Sequence, residues 1–142
     1  MWRNNNAKKV QVFNQTRQSF LSLGVIVADT HLSRLAGLLG QRRLRSNEGL
    51  WVVPSRGIHT IGMLFVMDVI YLDKDDRVIH LIENLGPFRV APIRLNCASV
   101  LELPVRSIFA SDTRVGDKLE IRSADETEIH WRVQQGRNVA AG

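Results

Sequence analysis

The sequence predicts an α+β domain, with a mostly antiparallel, barrel-like or sandwich sheet of about eight short strands and one main helix. Short runs rich in β-branched and aromatic residues, such as residues 24–28 and 65–72, recur along the chain between turn-forming residues. Only one stretch, residues 30–40, has a clear helical period. Many short strands around a single helix are typical of a β-rich α+β domain.

The helix is predicted from three signals between residues 29 and 40. Asp29 and Thr30 offer an N-cap, and Gly40 offers a C-cap. Between them, apolar residues fall at i, i+3, i+4 and i+7, which places them on one helical face: Leu32, Leu35, Ala36 and Leu39.

The strands are predicted from short apolar or alternating runs that end at Pro, Gly or Asp-rich turns. We expect them at residues 10–13, 24–28, 49–53, 65–72, 77–85, 98–103, 118–122 and 129–133, with residues 58–63 leading into the strand at 65–72. In the run L-E-L-P, alternation places Glu102 on the face opposite Leu101 and Leu103, where a solvated or salt-bridged side chain is expected.

Length and composition indicate one domain spanning residues 1–142, with a core over about residues 10–133 and frayed ends. The one cysteine, Cys97, excludes an intrachain disulfide and is expected to be a small buried residue. No run approaches 18 apolar residues, so we expect a soluble, cytoplasmic protein without a membrane span. Nothing in the sequence indicates an oligomeric state.

The net charge of +5 is concentrated in the first part of the chain. Residues 1–56 contain nine Lys or Arg and two acids, whereas residues 57–142 contain ten and twelve. The densest cluster is Arg42, Arg43 and Arg45, directly after the predicted helix. Weak binding to nucleic acid or to an anionic surface is one interpretation. A solvated surface that complements the helix dipole is the favoured one, since no aromatic residues alternate with these arginines.

Asp68 is the most informative residue, because its same-parity neighbours are apolar: Leu64, Val66, Ile70 and Leu72. A buried carboxylate must be paired or hydrogen-bonded. The nearest polar groups in sequence are Arg56, His59 and Thr60. The carboxylate is therefore predicted either to orient His59 or to accept hydrogen bonds from backbone N–H groups. Trp51 is interpreted as core or as a pocket wall, and Arg56 as an anion ligand or as the partner of Glu48 or Asp68.

Several ordered motifs resemble those of a known family over about residues 10–122. They are R-L-A-G-L-L from Arg34, L-R-S-N-E-G-L-W from Leu44, I-H-T-I-G-M from Ile58, D-V-I-Y-L-D from Asp68, V-L-E-L-P from Val100 and V-G-D from Val115. The chain is similar to the bacterial and archaeal family called domain of unknown function 192. The resemblance implies a compact β-rich domain of little-known function.

The chain also departs from the pattern of this family in segment 51–68. The family's histidine branch often has cysteine at the position of Ser55, arginine at Leu64 and proline at Val66. Its other branch has an aromatic-Met-Lys-Asn-Thr segment in the region of His59 and Thr60. Chemistry that depends on this histidine is therefore not expected throughout the family.

From these observations we expect a non-enzymatic domain that binds a small molecule or a partner protein at segment 51–68. The predicted ligand-binding residues are Trp51, Arg56, His59, Thr60 and Asp68. The alternative is a hydrolase or isomerase that uses His59 as a general base oriented by Asp68. No cofactor is expected. No metal is expected either, because the histidines are far apart in sequence and no His-x-x-x-His or Cys-x-x-Cys motif occurs.

Overall fold

The computed structural model of the protein describes residues 8–28, 44–57 and 65–123. Within these ranges the chain forms seven strands and one short helix. The strands are β1 (Lys9–Asn14), β2 (Ser19–Ala28), β3 (Glu48–Val52), β4 (Met67–Leu72), β5 (Val78–Leu85), β6 (Ser99–Pro104) and β7 (Leu119–Ser123). The helix, α1, is Ser107–Ser111. The predicted helix at 30–40, the segment 58–63 that leads into the strand at 65–72, and the predicted strand at 129–133 lie outside the described residues.

All seven strands belong to one sheet, in the order β5-β4-β6-β3-β2-β1-β7. Every neighbouring pair is antiparallel except β2 and β3, which are parallel. The expectation of about eight strands in a mostly antiparallel sheet is therefore corrected to a seven-strand mixed sheet in the described part of the chain. The parallel pair exists because β2 and β3 are joined by a long connection, which can return the chain to the same end of the sheet.

The sheet curls until its two outer strands approach each other. Arg77, just before β5, forms a bridge with Lys118, just before β7. The N–H of Val78 also donates to the carbonyl of Asp117 at 2.9 Å. One curled half-barrel is therefore present, so the barrel-like alternative of the prediction is confirmed and the sandwich alternative is wrong.

The two faces of the curled sheet carry two buried apolar clusters. The cluster on the inner face combines residues from strands on both sides of the sheet, including Val12, Val25, Ile70, Leu101 and Leu119. The outer face is covered around Leu50, Val69, Tyr71, Ala91 and Val100. Because both faces are covered, alternation along a strand does not separate buried from exposed positions.

Glu102 shows the consequence of covering both faces. Its side chain is opposite those of Leu101 and Leu103, as predicted, but it is completely buried. Its cross-strand neighbours are Leu50 in β3 and Val69 in β4. The expectation of a solvated Glu102 is wrong, because the outer face of β6 is as deeply covered as the inner face.

A buried polar network joins the turn after β1 to the loop before β7. The Nδ2 group of Asn14 donates to Thr113 Oγ1 and to Asp117 Oδ2, each at 3.0 Å. Asp117 Oδ2 also accepts from Arg17 Nε at 3.1 Å and from the N–H of Arg114 at 2.9 Å. Burial raises the pKa of Asp117, but these hydrogen bonds outweigh burial and hold the pKa below its ordinary value. The network fixes the position of α1 against the β1–β2 turn.

Candidate functional site

The first described part of segment 51–68 begins in β3 with Trp51. Trp51 pairs with Leu101 of β6 and packs, partly buried, against the inner apolar cluster. Its Nε1–H group is buried, and no acceptor within the described residues lies within hydrogen-bonding distance. The core interpretation of Trp51 thus describes its packing, while its indole N–H is a buried donor without a partner among the described residues.

The chain leaves β3 through a cis peptide between Val53 and Pro54 and turns at Ser55. The hydroxyl of Ser55 donates to the carbonyl of Gly57 at 2.8 Å, which closes the turn. Arg56 lies on this turn with an exposed side chain. Within the described ranges it pairs with neither Glu48 nor Asp68, so its guanidinium group is available to a ligand.

Asp68 lies in β4 and is completely buried. Its Oδ1 accepts from the N–H of Asn84 at 3.1 Å, in a bulge of β5 where Asn84 has a φ of 56°. Its Oδ2 accepts from the N–H of Ile108, in α1, at 3.0 Å. One carboxylate thus holds both the β5 bulge and the first turn of α1, with backbone donors from two distant parts of the chain.

The structure does not bring Arg56 and Asp68 together. Ser55 donates its N–H to the carbonyl of Ala98, and Ala98 donates to Leu72, which places Arg56 level with the end of β4. Asp68 lies four residues earlier on that strand, which corresponds to about 13 Å. Trp51 is closer to Asp68, but β6 separates their strands and Trp51 is level with Ile70, so their backbones are about 12 Å apart. His59 and Thr60 lie outside the described residues.

A cavity of about 430 Å³ opens at the Asp68 end of the sheet. It is lined by residues that precede β3 and β4 and by residues at the end of β6: Leu44, Arg45, Ser46, Val66, Pro104 and Val105. Val66 belongs to segment 51–68, and Pro104 pairs with Met67. Arg45 is the charged residue of the lining. Its side chain is exposed and forms no ion pair with the described residues.

A second cavity, of about 410 Å³, lies beside α1 and is lined by residues of β5, α1 and the following loop, among them Glu83, Phe109, Asp112 and Arg114. Here the cation is already neutralised, because Arg114 Nη2 lies 3.1 Å from Asp112 Oδ1. An anionic ligand would have to displace this partner, so the first cavity is the better anion site.

Most of the residues that line the first cavity could not be predicted from the sequence. Leu44, Pro104 and Val105 carry no chemical signature in the sequence, and Arg45 attracted notice only as part of a basic cluster. The cavity arises because the beginning of β3, the beginning of β4 and the end of β6 lie side by side at one end of the sheet. Only the order β4-β6-β3 reveals this arrangement, and strand order could not be derived from the sequence.

The described residues contain neither a metal centre nor a membrane-spanning helix. Within them, no group of three or more His, Cys, Asp or Glu residues could hold a metal ion. Cys97 is buried, as expected, and burial raises the pKa of its thiol. No described helix combines the length and the apolar character needed to cross a membrane.

Two solved structures resemble this fold. One is a protein of unknown function from Novosphingobium aromaticivorans DSM 12444, with a TM-score of 0.66 and 21% identity over 79% of this chain and 83% of that chain. The other, from Sinorhizobium meliloti 1021, is described as a proposed transcription regulator, with a TM-score of 0.66 and 21% identity over 80% of this chain and 92% of that chain. At this identity the likeness shows the fold alone.

No curated protein matches the chain. The family model described as "Uncharacterized ACR", domain of unknown function 192, matches residues 12–121. The match runs from the fourth residue of β1 to the middle of β7, so it includes all of β2 to β6 and the helix α1. The resemblance inferred from the sequence motifs is confirmed: the chain belongs to the family domain of unknown function 192.

Proposed function

We propose that the protein is a non-enzymatic β-rich binding domain whose ligand contacts segment 51–68, and that this ligand is a small molecule with an anionic group. The observation that supports the proposal is the cavity at the Asp68 end of the sheet, which joins apolar walls to one arginine without a partner among the described residues. Its volume lies in the range of about 300–1,000 Å³ that is typical of small-molecule sites.

The chemistry of the cavity lining favours an amphipathic ligand. Leu44, Val66, Pro104 and Val105 offer an apolar surface. Arg45 offers a planar guanidinium group that binds a carboxylate or phosphate through two parallel hydrogen bonds. A molecule with an apolar body and an anionic end would satisfy both parts, whereas a neutral polar molecule would leave the apolar walls unused.

The remaining predicted ligand residues have different supporting roles in this proposal. His59 and Thr60 follow the turn at Arg56 and precede Val66, so they connect the two ends of the segment along the chain. Arg56 lies at the far end of β4 and would contact only a long ligand or a partner protein. Asp68 has a supporting role, because its hydrogen bonds hold α1 and the β5 bulge in place.

The enzymatic alternative requires Asp68 to orient His59 as a general base. Both oxygens of Asp68 already accept backbone N–H groups, at 3.1 and 3.0 Å. This arrangement favours a structural role of Asp68 and supports the non-enzymatic proposal. A hydrolase or isomerase would convert its ligand on incubation, and NMR of the ligand after incubation with the protein distinguishes the two.

The nucleic-acid alternative depends on Arg42, Arg43 and Arg45. Arg45 is also the cation of the cavity, so its substitution alone does not separate the two functions. The salt dependence of the affinity does separate them, because binding to a nucleic acid through several arginines weakens steeply as the salt concentration rises. A ligand held in the apolar cavity by one arginine would show a much shallower dependence.

A thermal-shift screen of carboxylates and phosphate monoesters tests the proposal. A ligand at about a hundred times its dissociation constant adds roughly 2.7 kcal/mol to the unfolding free energy, which raises the midpoint by several degrees. We expect the shift to disappear in Arg45→Gln and to persist in Arg56→Gln, its matched control at the other end of β4. Failure of every compound to shift the wild type, or an undiminished shift in Arg45→Gln, would contradict the proposal.

His59→Ala extends the same screen to the part of the segment that the structure leaves undescribed. A ligand shift lost in this variant, with the variant's own midpoint little changed, would place His59 in the binding site. A variant that melts several degrees lower and still binds the ligand would assign His59 to the stability of the segment instead.

A further inference from the structure

Residues 86–96, in the loop that connects β5 to β6, expose an unusual amount of apolar surface. We name this segment the apolar loop. Four of the ten large apolar side chains exposed in the described residues lie within it: Phe88 at 65%, Val90 at 72%, Ile93 at 72% and Leu95 at 82%. Single exposed apolar residues are normal on a protein surface, but a cluster of this kind marks a site of interaction.

The exposure does not reflect a loop detached from the sheet. The carbonyl of Pro92 accepts from the hydroxyl of Tyr71 at 2.7 Å, and the N–H of Arg94 donates to the carbonyl of Arg56 at 2.9 Å. Ala91 and Cys97 are buried in the outer apolar cluster. The small residues of this region thus face the core while its large apolar residues face away from it.

The backbone at Phe88 supports the same conclusion. Its φ is 56°, a left-handed conformation that is uncommon for a bulky residue without a specific constraint. Such conformations are concentrated at functional sites, where the surrounding structure enforces them. Here the loop turns outward at Phe88, so the phenyl ring stands exposed at its beginning.

The charged residues within the apolar loop are both arginines. Arg89 and Arg94 alternate with the apolar residues, and Arg56 lies against the loop through its backbone contact with Arg94. From residue 86 to residue 101 the sequence contains no acid. The surface is therefore apolar and cationic, and its complement is a surface that is apolar beneath and anionic at its rim.

We propose that the apolar loop docks on an anionic lipid bilayer, with its apolar side chains in the acyl region and its arginines at the phosphates. Three features favour lipid over a protein partner. The exposed set is mainly aliphatic, whereas leucine and valine are under-represented among the residues that dominate protein interfaces. The side chains project outward on a loop. The flanking cations match the anionic headgroups that attract basic segments to membranes.

The proposal predicts how deeply the apolar side chains enter the bilayer and how much each arginine contributes to the binding free energy. Interfacial segments bury their apolar side chains about 5–10 Å below the headgroups. Phe88 and Leu95, near the two ends of the loop, would both lie in this layer. Each arginine near an anionic surface contributes about 1 kcal/mol, so Arg94→Gln should weaken binding roughly fivefold.

Vesicle flotation with the full chain tests the proposal. We expect the protein to float with vesicles made of equal parts phosphatidylserine and phosphatidylcholine, and to stay at the bottom with phosphatidylcholine alone. The variant Phe88→Ser/Leu95→Ser should lose most of this binding, about tenfold or more for each apolar side chain withdrawn from the bilayer. Higher salt should weaken the binding, because it screens the arginines.

Phe109→Ser is the matched control, since Phe109 is 71% exposed and lies on α1, outside the apolar loop. It should bind vesicles like the wild type, and all variants should melt near the wild-type midpoint because the replaced side chains are exposed. The proposal is overturned if the wild type does not float with either vesicle, or if the double variant floats as well as the wild type. An equal loss of vesicle binding in Phe109→Ser would also overturn it. So would a double variant that binds vesicles like the wild type but converts a wild-type dimer into a monomer.

The ligand proposal and the membrane proposal fail independently. Phe88 and Leu95 do not line the cavity that contains Arg45. The double variant should therefore keep any ligand-induced thermal shift, and Arg45→Gln should keep vesicle binding.

Discussion

Replacing Asp68 by asparagine removes one of two carboxylate oxygens that hold distant parts of the fold together. The substitution conserves shape, so no cavity forms. The amide nitrogen that replaces an oxygen meets a backbone N–H of Ile108 or Asn84, and both partners are donors. A hydrogen bond to a charged group contributes about 1.5–3 kcal/mol, and the donor left without a partner costs a further 1–3 kcal/mol. Some desolvation of the carboxylate is recovered, so we expect a net loss of about 3 kcal/mol.

Urea unfolding measures this loss directly. For a urea dependence of about 2 kcal/mol per molar, the midpoint should fall by roughly 1.5 M with little change in slope. Asp112→Asn is the matched control: Asp112 lies at the other end of α1, is exposed and has a left-handed backbone that asparagine tolerates. It should change the unfolding free energy by less than about 0.5 kcal/mol. A similarly small effect of Asp68→Asn would refute the reasoning that these two backbone contacts anchor the fold.

Three further predictions concern acid stability, packing and thiol reactivity. Because the pKa of Asp117 is lowered in the fold, its contribution to stability is present above the unfolded pKa of about 3.9 and is lost as the pH falls through the folded value. Asp117→Asn should therefore flatten the acid decline of the unfolding free energy, measured by urea titration at each pH. Gly49→Ala places a Cβ 2.9 Å from Leu103 Cδ2 and 3.0 Å from a backbone oxygen, so it should cost about 1–3 kcal/mol. Gly86→Ala meets nothing within 4 Å and should be neutral in the same urea assay. Cys97 should react with a thiol-specific disulfide reagent only after denaturation, since it is buried and burial raises its pKa.

The strands could be predicted from the sequence because their β-branched runs end at strong turn residues. Even so, the first half of β2, residues 19–23, was missed, since serines interrupt its apolar residues. The helix α1 was missed because five residues are too few to establish a helical period. The parallel pairing of β2 with β3 could not be foreseen either, because pairing across a long connection has no local signal.

The candidate site was predictable only in part, and Asp68 shows why. Its apolar surroundings correctly indicated a buried carboxylate that needs hydrogen-bond donors. The donors are backbone N–H groups at Asn84 and Ile108, 16 and 40 residues away. Every residue except proline has such a donor, so the sequence cannot indicate which ones are used. The sequence instead suggests nearby side chains, such as that of Arg56, as partners of Asp68.

Several residues of the family motifs in this chain have structural roles. Asp117 of the V-G-D motif closes the turn after β1, Gly49 admits Leu103 at close range, and Asp68 anchors α1. These motif residues build the half-barrel, so their presence indicates the fold without indicating a chemistry. The apolar loop, residues 86–96, lies between the motifs that begin at Asp68 and Val100. Its exposed large apolar side chains lie outside both buried clusters, and the interaction proposed above would account for their position on the surface.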